Sequence, residues 1–350
     1  MPQFKCYPIT DPNANWNYCP SFPAAILFCI LFGMITIVHI TQASIYKKPF
    51  ALVICMGAAW ECGGYVLRIL SVMHELNSAF ATAQFLLILL APLWINAFTY
   101  MVLGRAIHFF LDDDRVFGIR ARRITLMFVL FDIAAFLVQA AGGAMTSNSE
   151  PASTQRLGLH IYMGGVGLQL LFICVFITLA VQFQRRMYTV LNKRGVSKPT
   201  LLSLFRKSTN MQNTIQAASE EASTNDVYKS PERAVRLLYV VYAVLGLIIF
   251  RNIYRLIEFS QGVLSNITTH EWYWYVFDAV PMLFALIILS CFHPGRVLRG
   301  PRCDFSEENR EIKAVKKAKK MAKRQERDEK ARDKLRAKAM RRAEKQAGRT

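Results

Sequence analysis

Residues 22–41 read FPAAILFCILFGMITIVHIT, a run of 20 residues with no Asp, Glu, Lys or Arg. An α-helix of that length, rising about 1.5 Å per residue, crosses the roughly 30 Å hydrocarbon core of a bilayer. A soluble domain hides such a surface in one or two central helices. Here the pattern recurs six more times along the chain. The spacing predicts further helices over about 51–73, 80–103, 124–145, 158–183, 237–259 and 272–292. Backbone polar groups in lipid must be satisfied within their own segment. Blocks this long therefore read as helices, whereas barrel strands would alternate over about ten residues. The expected fold class is all-α, a polytopic membrane protein with a seven-helix transmembrane bundle over 22–293. A short N-terminal segment (1–21) precedes it and a basic tail (294–350) follows. The 350 residues could hold two soluble domains, but hydrophobic residues gathered in membrane-length blocks exclude that organisation.

Orientation follows from the loops. Lys47 and Lys48 lie between the first two helices, and Arg105, Arg115, Arg120, Arg122 and Arg123 follow the third. The long loop over 184–236 holds ten Lys and Arg. The alternate set is nearly bare, with Lys5 before the first helix and Arg156 before the fifth. Basic loops stay in the cytoplasm, so the N-terminus is expected outside and the C-terminus inside. The N-terminus lacks a signal-peptide pattern, and the first helix is expected to act as an uncleaved anchor. The sequon Asn266-Ile267-Thr268 falls in a loop placed outside, which makes Asn266 a candidate glycosylation site. Cys6 and Cys19 share the N-terminal segment, and an extracellular setting permits a disulfide between them. Trp272, Tyr273, Trp274 and Tyr275 open the seventh helix as an interfacial aromatic belt would.

The net charge of +19 is concentrated. Residues 301–350 carry 19 Lys and Arg against 9 Asp and Glu. In a membrane protein such a balance marks the cytoplasmic side, and no nucleic-acid partner is expected. The tail lacks Gly and Pro over 307–345 and reads as a charged helix or a disordered segment, suited to the anionic inner leaflet. The 184–236 loop, rich in Ser, Thr, Asn and Gln, reads as disordered or regulatory.

Ionisable residues inside lipid are expensive and need a purpose. Glu61 and Arg68 lie in the second helix, Asp132 in the fourth, Arg251, Arg255 and Glu258 in the sixth, and Asp278 in the seventh. Glu61, Tyr65 and Arg68 stand at i, i+4 and i+7, on one helix face, and Arg251, Arg255 and Glu258 repeat that spacing. The expected topology puts Glu61 near mid-bilayer and Arg68, Arg251, Arg255, Glu258 and Asp278 in the outer half. Such a stripe suits the polar headgroup of an amphiphile passing between leaflets. A buried ion-pair network that only fixes helix packing is the competing reading. Enzyme and motor readings lack their motifs. No GxxxxGK phosphate loop occurs, and the six histidines form neither HxxxH nor HExxH. We expect no metal, no cofactor and no enzymatic activity.

The chain resembles the fungal lipid-translocating exporters related to the aminocholesterol-resistance protein and the sphingoid long-chain-base exporter. The stretches that carry the resemblance are YCPSFPAAILFCILFG (18–33), WECGGYVLRILS (60–71) and AQFLLILLAPLWINAFTYMVLGRAI (83–107). FVLFDIAAFLVQAAGGAM (128–145), GGVGLQLLFICVF (164–176), RNIYRLIEFSQG (251–262), HEWYWYVFDAVPM (270–282) and FHPGR (292–296) continue it. The resemblance implies seven spans and a role in moving or exporting amphipathic lipids, such as sphingoid bases or phospholipids, with resistance to toxic ones. It adds His270 and Glu271 to Glu61, Arg68, Asp132, Arg251, Arg255, Glu258 and Asp278 as substrate-site candidates. It also implies membrane lipids as partners and the plasma membrane as location, with another endomembrane such as ER or vacuole as the alternative. The rival functional reading is a seven-helix lipid or stress sensor signalling through the 184–236 loop and the tail.

Overall fold

The computed structural model describes residues 16, 18–111, 113–146, 151–193, 231–262, 265, 267–298 and 305–347. Seven helices are long and apolar enough to cross a membrane. They are α1 (Phe22–Tyr46), α2 (Ala51–Met73), α3 (Ser78–Phe110), α4 (Ala121–Ala144), α5 (Ala152–Lys193), α6 (Pro231–Ser260) and α7 (Glu271–Arg296). Each packs on its neighbours in sequence and α7 returns to α1, which closes a ring. α3 also touches α6 across the middle and is the most buried span. The all-α, polytopic fold class is therefore observed.

Local chemistry sets the helix ends. Ser21 caps α1, its Oγ accepting the Ala24 N–H, with Pro23 in the first turn where its missing donor costs nothing. Asn77 caps α3 through Oδ1, which accepts the Ala79 N–H at 3.0 Å. α1 turns Ala25, Phe28, Phe32, Ile35 and His39 inward at helical spacing. Leu27, Ile30, Met34 and Ile37 face outward and are exposed. A helix apolar on both faces is what lipid on one side and protein on the other require.

The structure departs from the sequence reading in three places. α5 and α6 run past the expected membrane limits, so 184–193 and 231–236 are helical instead of loop. Tyr188 and Tyr239 hydroxyls meet at 3.1 Å, and Tyr242 donates to Gln184 Oε1 at 2.9 Å, tying these extensions together. The middle of that loop, 194–230, lies outside the described residues, as do Cys6 and Asn266. A small hairpin, β1 (Arg115–Val116) with β2 (Ile119–Arg120), stands between α3 and α4. Its turn residues Phe117 and Gly118 have φ of 50° and 75°, the mirror-image turn that matches strand twist. Two-residue strands leave too little alternation to be read from sequence. α7 is the third departure and is described with the site.

Single glycines let α4 and α5 approach closely. A Cβ on Gly142 of α4 would lie 2.4 Å from the Tyr162 backbone nitrogen of α5, and one on Gly165 2.7 Å from Gln139 Cγ. Gly164, beside Gly165, has nothing within 4 Å. Gly142→Ala is therefore expected to destabilise the bundle by about 1–3 kcal/mol, since backbone cannot yield as a side chain can. Gly164→Ala should be neutral. Thermal denaturation of the two variants in detergent checks the contrast.

Residues 304–350 form a separate unit. Its helix, α8 (Ser306–Ala347), is exposed over 313–330 and carries an i,i+4 pair of Glu326 and Lys330. The helix is rich in Ala, Lys, Arg and Glu, residues of high helix propensity.

Candidate functional site

Three polar or aromatic layers are stacked along the inner faces of α2, α6 and α7. The first is built on Arg68. Its guanidinium is 1% exposed and donates from all three nitrogens. Nη2 donates to the Glu271 carboxylate at 2.5 Å and to the Tyr18 hydroxyl at 2.9 Å. Nε donates to the Tyr275 hydroxyl at 3.1 Å, and Nη1 reaches Gln84 Oε1 at 3.4 Å. The rings of Trp274 and Trp16 stand 4.1 and 4.6 Å from the cation, where the ring quadrupole attracts it. The other Glu271 oxygen accepts the Ser21 N–H at 2.6 Å. One arginine thus joins α2, α3, α7 and the N-terminal segment. Burial pushes the Tyr18 phenol up, against the opposing pull of Arg68.

The second layer is aromatic. Tyr65, one turn from Arg68, stacks on Phe28 and Phe32 with centroids 5.6 and 5.2 Å away, and Phe28 stacks on Tyr275 at 4.8 Å.

The third layer holds the remaining charges of the stripe. Asp278 accepts two bonds from Arg255, Nε to Oδ1 and Nη2 to Oδ2, both 2.9 Å. Arg255 Nη1 also donates to Glu258 at 2.9 Å. Arg251 Nε lies 2.7 Å from Asp278 Oδ1 at an angle too poor for a hydrogen bond, and its Nη2 has no hydrogen-bond partner. Glu61 is 1% exposed and within electrostatic reach of Arg251, Asp278 and Arg255. Its Oε1 is buried without a partner, as is the Tyr65 hydroxyl. The stripe sums to Arg68, Arg251 and Arg255 against Glu61, Glu258, Glu271 and Asp278. Among these described residues the carboxylates exceed the cations by one, and Glu61 is the acid for which no arginine bond is formed.

A π-turn over Tyr275–Ala279 aims Asp278. The Val280 N–H bonds to the Tyr275 carbonyl, five residues back. Pro281 follows, and its missing N–H cannot serve the Phe277 carbonyl four residues before it. One extra residue in the turn is the usual accommodation, and such turns recur at functional sites. Nothing in hydropathy marks it, although a proline three residues after a buried acid is a usable signal.

The structure gathers seven of the nine sequence candidates. It does not bring Asp132 to them: that residue lies between α3 and α4, bonded to Asn96 and Tyr100. His270 is exposed at the start of α7. The four aromatic residues are no uniform belt. Trp272 is 51% exposed, whereas Trp274 and Tyr275 turn inward onto Arg68. Tyr18, Gln84 and Tyr275 were missed as partners of Arg68, because their contacts depend on how the helices rotate against one another. Beyond Asp278, the inner face of α7 continues as Met282, Leu286 and Leu289, all buried. Polar groups return on α1 and α7 at the far end, where Gln42 donates to Ser290 and His39 Nε2 meets the Leu286 carbonyl at 3.2 Å.

Comparison with known proteins places the chain in a family. The family model described as RTA1 like protein matches residues 54–301. The probable lipid transporter atnI of Emericella nidulans is 38% identical, over 85% of this chain and 71% of its own. The protoporphyrin uptake protein 1 of Saccharomyces cerevisiae is 28% identical, over 79% of this chain and 90% of its own. The sphingoid long-chain base transporter RSB1 of S. cerevisiae is 25% identical, over 82% and 76%. No solved structure matches the chain. The match covers every helix that carries the charged stripe, and the chain belongs to the RTA1-like family of fungal lipid-transporter-like membrane proteins.

Proposed function

We propose that this protein translocates or exports amphipathic lipids, holding the headgroup on the third layer while the chains stay in the bilayer. The observation that carries the proposal is the spare carboxylate of Glu61, buried with an unpartnered oxygen beside an arginine with an unpartnered Nη2. A cationic amine would satisfy the first and a hydroxyl or phosphate the second. The relatives support the reading, since one transports sphingoid long-chain bases and another is a probable lipid transporter. Sphingoid bases are accordingly the substrates we favour. Loop charge favours an external N-terminus and a cytoplasmic tail. The charged layers then lie at mid-bilayer and toward the outer leaflet of the plasma membrane, and α8 meets the anionic inner leaflet.

The conformation described is a closed one on this reading. Arg68, Arg255, Glu258, Glu271 and Asp278 are bonded to one another or to tyrosines, and Met282, Leu286 and Leu289 are buried beyond them. Five of the stripe's charges are thus bonded within the bundle. Glu61, and Arg251 beyond its ion pair with Asp278, keep unpartnered atoms for a ligand. Glu61→Ala and Arg251→Ala are therefore expected to abolish the resistance to toxic sphingoid bases that the protein confers on a sensitive fungal host. Surface biotinylation must show equal amounts at the membrane. Full resistance with both variants at normal surface levels would remove the headgroup site from consideration.

A further inference from the structure

We propose that Asp132 is a proton-binding site, held as a carboxylic acid and closed onto the Asn96 side chain by two opposed hydrogen bonds. Asp132 on α4 is 1% exposed and Asn96 on α3 is fully buried. Asn96 Nδ2 donates to Asp132 Oδ2 at 2.9 Å, and the Tyr100 hydroxyl donates to the same oxygen at 3.0 Å. The other oxygens of both groups, Asp132 Oδ1 and Asn96 Oδ1, are buried and have no hydrogen-bond partner.

Those two orphans belong to side chains already joined by one bond. Both are acceptors while the carboxyl is ionised, so neither can satisfy the other. A single proton on Asp132 Oδ1 supplies the missing donor. It bonds to Asn96 Oδ1, and acid and amide then form a ring with one bond in each direction. A buried acceptor left unmade is costly, and here one proton removes two such costs together with the charge.

Among the described residues, no cation is bonded to the carboxyl. The groups acting on the carboxyl are Asn96 and Tyr100, both on α3. Tyr100 packs on Phe128 of α4 and Phe176 of α5 at 5.6 and 4.5 Å, and Phe131 stacks on Phe172 at 4.5 Å. The elements packed here thus present aromatic rings, an amide and a phenol. Asp278 offers the contrast, since it lies in the same bundle and is held by two arginines. The ligand of Asp132 is a proton rather than a headgroup.

Infrared spectra of the purified full-length protein in lipid vesicles at neutral pH test the assignment. The expected wild-type spectrum contains a protonated-carboxyl C=O band that shifts in D₂O and is absent from Asp132→Asn, with the carboxylate bands unchanged. If Asp132→Asn instead removes intensity from the carboxylate bands, the residue is ionised and the proposal is wrong. Should Asp132→Asn fail to fold, Tyr100→Phe serves, because it removes one donor to the same carboxyl and keeps the ring. It is expected to move the C=O band, and an unmoved band would overturn the assignment. Stability gives a second readout. Asn at 132 can rebuild the ring as an amide pair, so Asp132→Asn should melt within a few degrees of wild type and Asp132→Leu well below it. Equal losses in the two variants would contradict the ring.

Discussion

Asp278→Ala is expected to cause the largest loss of stability of any single substitution in the bundle. One carboxylate holds Arg255 by two hydrogen bonds and Arg251 by an ion pair, with all three residues buried. Breaking one buried pair by removing a partner costs about 3–5 kcal/mol, because a charge remains without compensation. Here two guanidinium groups are released by one change. Glu258 still reaches Arg255 Nη1, so the residual burden falls mainly on Arg251, with Glu61 the carboxylate left in reach. Asp278→Asn keeps the shape and one acceptor, and should fall between the alanine variant and wild type. Thermal denaturation in mild detergent, read by size-exclusion chromatography, gives the order. An alanine variant that melts with wild type would show that the arginines find other partners and that Asp278 is not the hub.

Arg68→Ala is expected to follow closely, through a different mechanism. Its loss removes bonds to Glu271, Tyr18, Tyr275 and Gln84 and leaves the Glu271 carboxylate with the Ser21 N–H. Each cation–π contact adds about 0.5–2 kcal/mol. Trp16 and Tyr18 meet this cation, so the backbone around them should exchange hydrogen faster by mass spectrometry as well. Arg68→Lys should not rescue, since an ammonium cannot span four acceptors with a planar fork. A lysine variant with wild-type melting and exchange would refute the fork as the organising feature.

The seven helices were legible in the sequence because lipid leaves the backbone one solution and hydropathy reports it directly. The charged stripe was legible as faces of single helices. Its division into layers was not. Glu61 and Arg68 share a face, yet seven residues of helix separate them by about 10 Å, and Tyr65 with its rings fills the interval. Arg251 and Arg255 meet one acid because α6 and α7 pack in a register that periodicity cannot supply. The π-turn before Pro281 changes that register once more. Asp132 looked like one more charge of the set, but residues on α4 and α7 have no common sequence signal of distance. Asn96 and Tyr100, at i and i+4 on α3, offer a readable polar face, but nothing in the sequence sets that face against Asp132.

The most direct test of lipid translocation uses the purified protein in liposomes with a fluorescent sphingoid base, following its movement between leaflets by quenching from one side. Wild-type protein is expected to speed that movement well above protein-free liposomes, and folded Glu61→Ala to return it to the background rate. Binding of the base with no acceleration by the wild-type protein would contradict the account and favour a sensor.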